Sequence, residues 1–246
     1  MVLLGLKIHT LPQLSRPRMV AALPDMGNVA GIGMDFLVRK LKAKLFAEIY
    51  AYWPPAVSYN EGLLKYEQSS YKFHYSPKEN LVLFSGEFNP SDPRRLYELC
   101  YEVVGMAKKL KVSTLYSIGA ALRQPAPTEP RLFGATSTQK NLELLKKEKL
   151  NLLAGKGQIT GFNGLVLGIA KEKQLDSICI LSEIDNPNII QPKAAKFILD
   201  KLLHILQIKP LDTAELEEEE KRKQFMEQQM SYMSGLARKD NQPGIA

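Results

Sequence analysis

The stretch Arg18-Met19-Val20-Ala21-Ala22-Leu23-Pro24-Asp25-Met26-Gly27-Asn28 passes from a short apolar run into a cluster of turn formers. A continuous apolar run of this length reads as a buried strand, and the Pro-Asp-x-Gly-Asn sequence stops it. From Val29 to Leu41 the residues Ile32, Met34, Phe36, Leu37, Val38 and Leu41 recur at helical spacing. Strand, glycine-bearing loop and helix in that order open a βαβ unit, which predicts an α/β fold with a mainly parallel central sheet. In such sheets ligands sit beyond the carboxyl ends of the strands. Asp25, Met26, Gly27, Asn28 and Gly31 therefore become candidate ligand- or partner-binding residues.

The same theme continues outward from this unit. Ala43 to Tyr52 reads as the next strand, closed by Trp53-Pro54-Pro55, because two prolines remove the donors a ladder needs. Gly62 to Tyr75, rich in tyrosine and partly alternating, predicts a β-rich insertion of antiparallel strands, and Asn80 to Glu87 a core strand. Asp92 opens a helix in which Leu96, Leu99, Cys100, Val103, Val104, Ala107 and Leu110 share a face. Val112 to Ile118 is a strand, Arg131 to Ala135 a short one, and Gln139 to Lys149 a helix, with a proline-rich loop before Arg131. A glycine-rich segment, Gly155 to Gly164, then leads into an apolar stretch, a strand at Ser177 to Ser182 and an amphipathic helix from Lys193 to Leu206. From Asp212 the composition turns acidic, then basic, then rich in Met and aromatics, which suits a terminal helix. Its apolar residues fit a partner-binding stripe and a face packed on its own domain equally. The expected organisation is a domain over 1–211, a helix over 212–238 and a disordered tail over 239–246.

Composition narrows the function classes. Of 246 residues, 45% are hydrophobic and 24% charged, the balance of a folded globular protein. Lys and Arg number 33 against 26 Asp and Glu, but the basic clusters are short, scattered and free of interleaved aromatics, so nucleic-acid binding is not expected. Two cysteines, Cys100 and Cys179, each inside an apolar segment, leave no room for a disulfide framework or a cysteine zinc site and suit a reducing, cytoplasmic setting. Lys7 and His9 interrupt the apolar residues at the start, unlike a signal peptide, and no run approaches the ~20 residues of a membrane span.

A search for chemistry nominates no catalytic set. The glycines after the first strand match neither a Walker loop nor G-x-G-x-x-G, so they read first as turn and packing residues. His9, His74 and His204 lie far apart, with no metal-ligand spacing. His74 reads as a surface strand position, or as a general base in the less favoured alternative. There is no G-x-S-x-G elbow and no basic residue placed to activate a cysteine. Neither cofactor nor metal is expected, and the chain reads as a non-enzyme.

Three features in order carry a family resemblance: Pro24-Asp25-Met26-Gly27-Asn28-Val29-Ala30-Gly31 after a strand, Gly157-x-Ile159-Thr160-Gly161-Phe162-Asn163-Gly164-Leu165, and the helix with Ala194-Ala195. Together, over roughly residues 18 to 210, they resemble the proteasome assembly chaperone family, second-subunit type, with its archaeal and bacterial homologues. The resemblance implies a three-layer α/β/α sandwich similar to nucleoside phosphorylases, self-association, and the escorting of proteasome α subunits. It adds Gly157, Thr160, Gly161, Asn163 and Gly164 to the candidate binding residues, with Asn28, Thr160 and Asn163 expected to satisfy local backbone groups. Some chaperones of this kind dock into proteasome pockets through a terminal hydrophobic-Tyr-x tripeptide; Gly244-Ile245-Ala246 has no Tyr at that place. Trp53, Tyr59 and the tyrosine-rich insertion are candidates for a partner surface, with core packing the equal alternative. The competing function is a nucleoside-phosphorylase- or hydrolase-like enzyme holding a phosphate or sugar near Asp25, Asn28 and Thr160, an analogy of fold alone.

Overall fold

A computed structural model describes residues 5–51, 57–66, 69–123 and 129–240, with side chains through 229. The strands are β1 (Leu6–Ile8), β2 (Arg18–Ala21), β3 (Lys44–Tyr50), β4 (Ser58–Asn60), β5 (Leu63–Lys65), β6 (Ser70–Ser76), β7 (Leu81–Ser85), β8 (Thr114–Leu122), β9 (Leu132–Thr136), β10 (Asn151–Leu152) and β11 (Ser177–Ile184). The helices are α1 (Val29–Lys40), α2 (Pro93–Lys109), α3 (Gln139–Lys147), α4 (Gly161–Glu172), α5 (Pro192–Ile205) and α6 (Ala214–Asp240). All strands except β4 and β5 join one sheet in the order β1-β3-β6-β7-β2-β8-β11-β9-β10.

The four central strands β7-β2-β8-β11 are parallel, as the apolar runs predict. On the flanks the pairs β1–β3, β3–β6, β6–β7 and β9–β11 are antiparallel, and β10 is parallel to β9. For β6 and β7 the reason is connection length: a parallel pair needs a crossover of a dozen or more residues, whereas these two are joined by a tight turn in which the Asn80 amide donates to the Pro77 carbonyl. β6, expected within an insertion, is thus a strand of the main sheet. Only β4 and β5 stand apart from it.

Burial on both faces explains why the central strands read as unbroken apolar runs rather than alternating ones. In the β2 segment Met19, Ala21 and Leu23 point into a core closed by α2 and α4, while Val20 and Ala22 point into a second core closed by α1, α5 and Leu145 of α3. Three layers, α/β/α, follow. Gly33 belongs to this packing, since a Cβ there would lie 2.9 Å from Ile118 Cδ1, so its absence lets α1 approach β8. Asp92 and Thr138 cap α2 and α3 by accepting main-chain amides, and Pro93 takes the first position of α2, where it costs no hydrogen bond.

The terminal helix α6 lies on α5 and ends at Asp240, two residues beyond the expected boundary. Leu216 and Lys223 are buried, whereas Phe225 and Met226 are exposed, so the helix packs through its first ten residues and presents these two apolar side chains just beyond. Residues 241–246 of the expected tail, and the candidate Trp53, lie outside the described residues. No helix among the described residues is long and apolar enough to cross a membrane.

Candidate functional site

Beyond the end of β2 the chain makes a turn that its own residues hold. Gly27 has φ +63°, a conformation glycine adopts without strain, and Asn28 follows at φ +52°. Asp25 braces the turn: Oδ1 accepts the Ala30 amide at 2.8 Å and Oδ2 the Ala120 amide at 2.6 Å, tying β2 to α1 and to β8. Gly119 permits this approach, because a Cβ there would stand 3.0 Å from Asp25 Oδ2. Burial pushes the Asp25 carboxyl up to about 6, against the pull of the Ala30 and Ala120 amides in the other direction.

The second glycine motif approaches the same place from α4. Asn163, on the first turn of α4, donates from Nδ2 to the Leu23 carbonyl at 3.0 Å and accepts the Leu23 amide on Oδ1 at 2.9 Å. Its side-chain amide therefore replaces a strand neighbour where β2 leaves the sheet. Gly164 is obligatory for space, since a Cβ would fall 1.9 Å from the Ile159 carbonyl oxygen, and Gly161 has φ +70°. Gly157 has open space around it.

Two crevices flank the Asp25 turn. One, of about 680 Å³, lies toward α4 and brings together Asp25, Met26, Gly157, Thr160, Gly161 and Asn163. The other, of about 670 Å³, lies toward α1 and takes Asn28 and Gly31 together with Ser70, Lys72 and His74. The candidates thus divide between two sides of one turn, while Gly27 and Gly164 are structural. His74 is half-buried on β6, and burial holds its pKa below the ordinary value, so the ring is neutral at pH 7. His9 and His204 instead pair with Glu48 and Glu148.

One expectation about these residues needs correction. Asn163 bonds to a main chain 140 residues away, not to local groups. Thr160 makes no side-chain cap bond to α4, and Asn28 Oδ1 is buried without a partner. Asn28 instead packs against Gly31, where a Cβ would come within 2.0 Å of its Oδ1.

Several residues that build the site give no sign in the sequence. Gln191 donates its amide to the Gly27 carbonyl at 2.8 Å, and Gly27 donates to the Pro187 carbonyl at 2.8 Å, so the loop after β11 grips the turn. Lys223 of α6 donates to Gln191 Oε1 at 2.9 Å in a buried contact. Asn89 donates to the Pro24 carbonyl. At the end of β11, buried Glu183 receives Arg123 and Arg131, which secures the chain around Pro130. The small residues Gly119-Ala120-Ala121 are the one available signal, because only a small side chain leaves Asp25 room.

The family model described as the PAC2 family matches residues 19–231, which take in every strand from β2 onward and both glycine loops. The chain belongs to the PAC2 family. An uncharacterized protein of Methanocaldococcus jannaschii is 27% identical over 224 residues, covering 90% of this chain and 84% of the relative. Among solved structures, PbaB of Pyrococcus furiosus, described as an archaeal proteasome activator, matches with a TM-score of 0.82 at 22% identity, over 94% of this chain and 100% of its own. PbaA of the same organism, described as an archaeal homolog of proteasome-assembly chaperone, matches at 0.77 and 20% identity, over 96% and 95%. A Mycobacterium tuberculosis proteasome-assembly chaperone homologue matches at 0.68 and 18%, over 87% and 94%. At these identities the likeness is one of fold. In this PAC2 chain both carboxylate oxygens of Asp25 accept amides of its own main chain, while Met26, Leu122, Leu153 and Ile190 are exposed around the turn.

Proposed function

We propose that this PAC2 protein is a non-catalytic, self-associating protein-binding factor that acts in the cytoplasm on proteasome α subunits or a comparable complex. The observation that carries this reading is the division of labour at the Asp25 turn. Both oxygens of Asp25 accept main-chain amides, and both ends of the Asn163 amide bond to Leu23, so these polar groups brace loops instead of meeting a substrate. Met26, Leu122, Leu153 and Ile190 face outward around the turn, beside the polar Gln158 and Thr160. Exposed apolar residues on rigidly held loops suit a protein interface, whose fully buried core is poor in charge. The descriptions of PbaA and PbaB, which share the fold, favour proteasome subunits as the partner. The free, buried thiols of Cys100 and Cys179 suit a reducing compartment.

Co-elution with purified proteasome α subunits tests the reading, using wild type and a Met26→Asp/Leu122→Asp variant. Binding by the wild type and at least tenfold weaker binding by the folded variant is the expected result. Equal binding by both proteins would remove the rim from the account. Turnover of a phosphorylated nucleoside that is lost in Asp25→Asn would replace the whole reading with an enzymatic one.

A further inference from the structure

Helices α2 and α4 lie against each other and return toward the amino ends of the parallel strands, so the segments that feed β2, β8 and β11 meet there. The Ser113 amide donates to the Pro17 carbonyl at 2.8 Å and the Leu115 amide to the Asp176 carbonyl at 2.8 Å, which sets these segments side by side. Each brings exposed cations: Arg16 before β2, Lys108, Lys109 and Lys111 before β8, and Lys171 before β11. Basic clusters that are scattered along the chain are thus gathered by the fold at one end of the sheet, opposite the Asp25 turn.

Among the described residues none of these side chains has an ion pair or hydrogen bond. The neighbouring carboxylates are engaged elsewhere: Glu172 binds Lys173 at 2.9 Å and Tyr101 at 3.1 Å, Glu79 lies 3.5 Å from Lys78, and Asp176 is half-buried. On the other layer Glu215 of α6 answers Arg39 and Lys40. Cations in a last helical turn offset the helix dipole, which accounts for Lys108, Lys109 and Lys171. It does not account for Arg16 and Lys111, which lie outside the helices at φ +44° and +54°, where glycine would sit without strain. Neighbouring strands stand about 5 Å apart, less than the Debye length of ~8 Å, so these charges act as one field that repels itself and attracts anions.

We infer that this basic end is a docking surface for an acidic segment of a partner protein. It goes beyond the proposed function, whose apolar rim lies at the opposite end of the sheet. Charge complementarity sets the chemistry of the partner, and the form of the surface favours protein over nucleic acid. Single strands are held by stacking on aromatic rings and duplexes by an element seated in a groove. Here Tyr101 already donates to Glu172 and lies under Lys173, and α2 and α4 present their C-terminal turns. Lysine ammonium groups are point charges on flexible stems, which meet the carboxylates of an extended acidic run without demanding one geometry.

Binding of a labelled oligoglutamate peptide to the purified full chain, followed by fluorescence anisotropy, tests this. Lys108→Gln/Lys111→Gln/Lys171→Gln is compared with Lys140→Gln/Lys147→Gln/Lys149→Gln, which removes the same charge from exposed positions on α3 and just after it. Wild type and the α3 variant are expected to bind alike and the first variant at least tenfold more weakly. Raising salt from about 0.05 to about 0.3 M should weaken wild-type binding at least tenfold. Absence of binding by the wild type would overturn the surface, and equal loss in both variants would show that net charge alone attracts the peptide. Tighter binding of an RNA duplex of equal charge, lost in the first variant, would give the surface to nucleic acid and overturn the protein partner. None of these outcomes bears on the rim around Asp25.

Discussion

Unfolding releases Asp25 to titrate at its ordinary value of 3.8, whereas in the fold its carboxyl keeps a proton up to about pH 6. The folded state therefore binds more protons between those values, and stability falls as pH rises through that window. A rise of that size corresponds to ~3 kcal/mol at most, fully present above pH 6 and absent near pH 4. Asp25→Asn removes the titration. In urea unfolding the wild type is expected to gain on the variant by up to ~3 kcal/mol between pH 7 and pH 4; a constant difference would show that the two amides, not burial, set the charge. The glycines make a second residue-scale case. Gly164→Ala drives a Cβ into the Ile159 carbonyl and is expected to cost more than 2 kcal/mol, whereas Gly157→Ala has open space and should change stability by less than ~0.5 kcal/mol. Equal costs, read from chemical unfolding, would contradict the packing given for α4. Gly31→Ala collides only with the Asn28 side chain, so Asn28→Gly should restore most of its loss. These distinctions were not legible beforehand. The sequence shows two glycine motifs but not which glycine faces a backbone.

At the level of elements, the contact of α6 with the turn runs through one residue. Lys223 holds Gln191, Gln191 holds Gly27, and Gly27 lies two residues from Asp25. Lys223→Met keeps the buried stem and removes the ammonium, leaving the Gln191 acceptor without its partner. The Gly27 and Gln191 amides are expected to exchange at least tenfold faster in this variant, read by hydrogen exchange. Faster exchange confined to α6 would mean that the helix and the turn are independent. The central strands and α1, α2 and α5 were legible from apolar runs and helical spacing because both sheet faces are covered. β6 was misplaced for a physical reason: Tyr71 and Phe73 face the core while Lys72 and His74 face outward, and that alternation fits an insertion as well as the flank of the main sheet. Asn163 could be singled out but its role could not, since its partner is the main chain of Leu23 and leaves no side-chain signature.

For the whole molecule, the four parallel strands point their carboxyl ends one way, and the Asp25 turn and the loop gripping Gly27 gather there. Within the tyrosine-rich region Tyr71 lies in the core, whereas Tyr59 and Tyr66 are exposed. The scaffold fixes Asp25 and Asn163 by bonds to its own main chain and leaves Met26, Leu122, Leu153 and Ile190 exposed around them. The excess of 33 basic over 26 acidic side chains is carried in part at the opposite end, by the exposed cations of the segments that feed β2, β8 and β11. The most direct test is a native mass spectrum of the full chain, alone and mixed with purified proteasome α subunits. The account predicts a defined multimer of the 27.6 kDa chain that gains α subunits. A monomer that takes up no α subunit and retains a small metabolite would contradict it.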